Sequence, residues 1–69
     1  MHTISNMKAL LEKYPESGIY IGTLESGREY ILYRQEGSGC RTSLQSSNGW
    51  FEIVYYDEDG QPEGVEHER

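Results

Sequence analysis

The run Gly49-Trp50-Phe51-Glu52-Ile53-Val54-Tyr55-Tyr56 constrains this chain most. Asn48-Gly49 precedes it and Asp57-Glu58-Asp59-Gly60 follows it, so both ends carry turn signals. Trp50, Phe51, Tyr55 and Tyr56 are aromatic, and Ile53 and Val54 are β-branched, which suits a pleated surface. A strand of this kind needs partners, and the rest of the chain supplies them in short pieces. Segments 18–24, 29–35 and 40–46 read as strands beside 50–56.

The turns set the expected register. Read as a two-residue turn, Ser26-Gly27 places Ile21 opposite Leu32 and Thr23 opposite Tyr30. The other side of that pair then holds Tyr20 opposite Tyr33 and Gly22 opposite Ile31. Asn48-Gly49 is the strongest hairpin signal, and as a type I′ turn it places Leu44 opposite Ile53, Thr42 opposite Tyr55 and Ser46 opposite Phe51. Glu36-Gly37-Ser38-Gly39 reads as a flexible loop. One face of the expected sheet holds Ile19, Ile21, Tyr30, Leu32, Leu44, Phe51, Ile53 and Tyr55. The second holds Tyr20, Ile31, Tyr33, Trp50, Val54 and Tyr56.

A helix is expected over about 4–14, where Ile4, Met7, Leu11 and Tyr14 recur at helical spacing and Leu10 broadens the stripe. Thr3 or Ser5 is the candidate cap, and Pro15 ends the element. About three turns are too short to stand alone in water, so the helix must dock on the sheet. The expected fold is therefore α+β, with one N-terminal helix packed on an antiparallel meander of three to five strands, in a single small domain over 1–69. Residues 57–69 are either a short edge strand or an acidic tail.

Sixty-nine residues support only a thin core. The single cysteine, Cys40, provides no internal disulfide, and no apolar run is long enough to span a membrane. No charged-then-apolar leader is present, so a soluble cytoplasmic protein is expected. The net charge of −6 is uneven. Up to residue 51, lysines and arginines balance glutamates, whereas 52–69 carry Glu52, Asp57, Glu58, Asp59, Glu63, Glu66 and Glu68 against Arg69. Phosphate backbones and anionic membranes need clustered cations, so neither is an expected partner. An acidic segment instead steers a protein with a basic surface.

Chemistry-bearing motifs are weak. Asp57, Asp59, Gly60 and Glu66 fall at the third, fifth, sixth and twelfth places of a calcium-loop pattern. Tyr55 occupies the first place and Pro62 lies inside the loop, so a solvated acidic turn is the better reading. Cys40 lacks a base: Arg41 points to the other face of the strand, and His2 and His67 sit near the termini. Glu36-Gly37-Ser38-Gly39 lacks the lysine and helix of a phosphate loop. No catalytic residue, metal or cofactor is expected.

Tyrosine and tryptophan are enriched at protein interfaces. The expected function is a non-enzymatic protein-binding module. It would use Tyr20, Tyr33, Trp50 and Tyr56 with Asp57, Glu58, Asp59 and Glu63 against a protein with a basic surface. One concrete form is an inhibitor whose carboxylates occupy a nucleic-acid groove on its target. Acidic single domains of this size are common among phage-encoded inhibitors of host defence, such as anti-CRISPR proteins, which is a background of size and charge rather than a match of residues. The alternatives are a homodimer or assembly subunit with its aromatic faces buried, and a small-ligand-binding domain. The aromatic second face also has two plainer explanations, a sheet curled into a small barrel and the high strand propensity of tyrosine.

Overall fold

The computed structural model describes residues 4–69, in which one helix precedes five strands. Helix α1 is Met7–Lys13, and the strands are β1 Gly18–Thr23, β2 Glu29–Arg34, β3 Cys40–Gln45, β4 Phe51–Tyr56 and β5 Pro62–Glu68. They form one antiparallel sheet in the order β1-β2-β3-β4-β5. The α+β meander expected from sequence is the fold, and the acidic C-terminal segment is its fifth strand.

The helix is shorter than 4–14. Asn6 takes a left-handed conformation, with φ 61°, and a right-handed helix cannot run through it. Asn6 is the N-cap and makes no side-chain cap hydrogen bond, so Ser5 does not cap; Thr3 lies outside the described residues. At the other end Tyr14 N–H donates to the Leu10 carbonyl at 2.9 Å before Pro15. Met7 and Leu11 are buried against the sheet.

The hairpin registers differ from the expected ones by one residue. Ile21 pairs with Ile31, and Tyr20 pairs with Leu32. Leu44 pairs with Glu52, and Thr42 pairs with Val54. Both loops hold three residues instead of two. Gly27 N–H donates to the Leu24 carbonyl at 2.9 Å, and Gly49 N–H donates to the Ser46 carbonyl at 3.1 Å. Each glycine follows a type I turn at positive φ, 89° and 91°. Asn48 does not take positive φ, so the type I′ turn does not form. The β4–β5 hairpin repeats the device: Gly60 N–H donates to the Asp57 carbonyl at 3.0 Å, with φ 82°.

A one-residue change in pairing moves a whole strand to the opposite face. The inner face, under α1, holds Tyr20, Tyr30, Leu32, Cys40, Thr42, Leu44, Val54 and Tyr56. Met7, Leu32 and Val54 are its most deeply buried side chains. Ile19, Ile21, Phe51, Ile53 and Tyr55, expected inside, lie on the outer face. Tyr20, Val54 and Tyr56, expected outside, lie on the inner one.

Two contacts tie the layers together. Tyr56 Oη accepts the Ile4 N–H at 3.0 Å. Arg34 donates to the Tyr14 carbonyl through Nε at 2.9 Å, and to the Gln35 and Gly39 carbonyls through Nη1 at 3.0 and 2.8 Å. It thereby links the end of α1 to the β2–β3 loop.

Leu32→Ala should lower stability by about 2–5 kcal/mol, the usual cost of emptying a leucine site. Ile21→Ala, on the outer face, should cost less than about 1 kcal/mol. Urea unfolding of the two variants checks the face assignment; equal losses would contradict it.

Candidate functional site

Strand β1 turns the usual rule around. Its inner positions are Gly18, Tyr20 and Gly22, while Ile19 and Ile21 point outward, each 68% exposed. The glycines have a local cause. A Cβ on Gly22 would lie 2.2 Å from the ring of Tyr30, its cross-strand partner. The Tyr30 ring therefore covers Gly22, and a larger residue there would have to push the ring aside. Tyr20 is held at a different angle, stacked on Tyr14 at 4.3 Å with its hydroxyl donating to the Glu16 carbonyl. With tyrosines filling the inner side of β1, the isoleucines are left to the outer one.

The register joins these isoleucines to a row across the sheet, Ile21-Ile31-Ser43-Ile53-Glu66. A second row runs Ile19-Tyr33-Arg41-Tyr55-Gly64. Arg41 lies over the Tyr33 ring at 4.4 Å, so its charge rides on an aromatic face within the row. Tyr55 Oη donates to Glu66 Oε2 at 3.3 Å. Phe51 and Glu68 pair beyond these rows. The outer face is thus apolar on the β1–β2 side and grades to carboxylates on β5. α1 lies on the inner side of the sheet, so it leaves this face open.

The residues expected to bind a partner do not form one patch. Tyr33 is on the outer face, whereas Tyr20 is on the inner face and Tyr56 is buried at 3% exposure. Trp50 lies just before β4, beneath the Arg69 guanidinium at 4.9 Å. Asp57, Glu58 and Asp59 form the turn at the other end of that strand, and Glu63 lies on exposed β5. The turn is partly self-contained: Asp57 Oδ1 accepts the backbone N–H groups of Asp59 and Gln61, both at 2.9 Å. Asp57 is therefore a turn former as much as a surface charge. The outer-face positions of Ile19, Ile21, Ile53 and Tyr55 were missed, although Ile53 is buried there among its neighbours. The signal for them was a polar pair followed by glycine, as in Glu25-Ser26-Gly27 and Ser47-Asn48-Gly49, which also describes a three-residue loop.

Cys40 is buried on the inner face, its Sγ 3.5 Å from Met7 Sδ. Burial pushes its thiol up to about 11, and the nearby Arg34 charge offsets that only in part. Burial, followed by the neighbouring phenols and the Cys40 thiol, also raises Tyr30. A thiol held protonated against a thioether is a poor nucleophile. His67 Nε2 lies 3.5 Å from Glu52 Oε2. Among the described residues no three His, Cys, Asp or Glu side chains gather as a metal site. No helix of the described residues is long and apolar enough to cross a membrane.

Comparison with protein-family models, with curated proteins and with solved structures finds no match for this chain.

Asp57→Ala should destabilise by roughly 1–3 kcal/mol through loss of two turn hydrogen bonds, whereas Asp57→Asn keeps the acceptor and should cost much less. Thermal melting of the pair checks this; equal losses would assign the effect to charge. The cysteine makes a pH prediction. Its folded value lies above the unfolded one near 8.5–9, so the stability it contributes is complete below that range and is lost as pH rises toward about 11. The urea midpoint should fall across this window, and less steeply in Cys40→Ala, which also relieves the part of the Tyr30 shift that Cys40 causes. Native Cys40 should also label slowly with thiol reagents, and rapid labelling would contradict its burial.

Proposed function

We propose that this chain is a non-enzymatic protein-binding module whose contact surface is the outer face of the sheet. The observation that carries the reading is β1, which spends glycines on its inner side and exposes Ile19 and Ile21. Exposed isoleucines continuous with Ile31, Tyr33 and Ile53 form the kind of patch that marks interaction sites. The charge grade adds the partner's chemistry: an apolar area flanked, on the side that meets β5, by lysine or arginine. Glu66 and Glu68 would meet those cations, and the turn carboxylates would add to the long-range field. An inhibitor that covers a basic, nucleic-acid-binding groove is the concrete form, its carboxylates standing where phosphates would.

Face-to-face pairing of two copies fits less well. Stacking β1 on β1 and β5 on β5 sets Glu66 and Glu68 against their own copies. Stacking β1 on β5 buries those carboxylates against isoleucines. Either arrangement is costly.

The test is affinity capture from host lysate by the parent and by Ile21→Thr/Ile31→Thr, followed by binding kinetics with the purified captured protein. The double variant should dissociate at least about tenfold faster with little salt dependence. Glu66→Gln/Glu68→Gln should mainly slow association, and more so at low salt. A captured protein that binds both variants with parental rates would overturn the outer-face reading.

A further inference from the structure

The sheet has two open edges, and they are built differently. Strand β5 carries Pro62, Glu63, Glu66 and Glu68, and its pairing with β4 shifts at Tyr55/Tyr56. Proline, charge and irregularity are the usual devices that keep an edge from pairing with another chain. Strand β1 has none of them. Gly18–Thr23 contains no charge and no proline, and it pairs with β2 without interruption over six residues.

Its free hydrogen-bonding groups can be placed. Leu24 N–H donates to the Arg28 carbonyl at 2.8 Å, which makes that pair the hydrogen-bonded one. Antiparallel pairs alternate, so Thr23, Ile21 and Ile19 are the positions whose N–H and C=O point away from β2. Among the described residues nothing caps this ladder, which runs along an apolar edge.

We propose that β1 pairs antiparallel with β1 of a second copy about a twofold axis at Ile21, making one ten-stranded sheet. That register sets Ile21 against Ile21 and Ile19 against Thr23 of the other copy, using every outward group of the strand. It is isologous and closed, so it stops at two chains. The charge distribution selects this occupant. The negative charge lies in 52–69, on β4, β5 and their turn, while the β1 side is balanced. Joining through β1 keeps the two acidic edges about 40 Å apart at the usual strand spacing, several screening lengths in physiological salt. Joining through β5 would bring them together. The outer isoleucine rows of the two copies become continuous across the new seam. This pairing does not depend on the partner-binding reading, since the outer face stays open in either case.

Sedimentation of the full chain from micromolar to millimolar concentration should give twice the 7.9 kDa chain mass. Ile21→Pro removes an N–H that the intrachain ladder does not use, so it should retain the parental circular dichroism and sediment as a monomer. Tyr55→Ser, on the outer face away from the seam, should remain a dimer. Amide exchange of the parent is the second measurement, and it needs no variant: Ile19, Ile21 and Thr23 should exchange slowly, with protection that grows with concentration. A parent that stays monomeric, with these three amides exchanging freely, overturns the proposal. So does a dimer that survives Ile21→Pro and is lost in Tyr55→Ser.

Discussion

A glycine at positive φ in the third loop position decides what every face of this molecule shows. The loops ending at Gly27, Gly49 and Gly60 share this form, with the glycine N–H bonded back across the turn. Loop length fixes pairing, and pairing fixes which side chains meet the helix. With three-residue loops, Val54 and Tyr56 join Leu32 under Met7 and Leu11. The isoleucines of β1 go to the other side as a consequence.

The inner layer is held by a few large side chains used economically. The Tyr30 ring takes the space above Gly22, so β1 is covered on its inner side without apolar residues of its own. Arg34 collects carbonyls from the end of α1 and from the β2–β3 loop, where an uncharged side chain has too few donors. This arrangement allows a seven-residue helix to cover the middle of one side of a five-stranded sheet, over β2, β3 and β4. It also leaves the other side with a surface that water does not favour, which is the physical basis for the binding role proposed here.

The helix, the four central segments and the turn positions were legible in the sequence, because helical spacing and glycine-marked breaks are local signals. The fifth strand was legible only as an alternative, since its charges suit an edge and a tail equally. Parity was not legible. Asn48-Gly49 serves a two-residue type I′ turn and the end of a three-residue loop, and only the pairing energetics of the whole sheet choose between them. The alternation of Ile19 and Ile21 was read as core because apolar residues usually go inside, a rule with many surface exceptions. Tyr33 was placed on the outer face correctly, since β2 keeps Leu32 inward in either register. Tyr56 was placed outward, and it became core when β4 turned over.

The segment Ile4 to Lys8 meets the β4–β5 hairpin inside the fold. A Cβ on Gly60 would lie 2.7 Å from the backbone nitrogen of Lys8, and the Ile4 N–H bonds to the Tyr56 hydroxyl. α1 precedes the sheet in the element order, yet it rests against the β4–β5 hairpin, some fifty residues further along the chain. Met7 and Leu11 pack on side chains of β2, β3 and β4 together, so no single hairpin completes their site. The contacts of α1 therefore close long loops in the chain, whereas each hairpin closes a short one, and the docking of the helix is the slower part of folding.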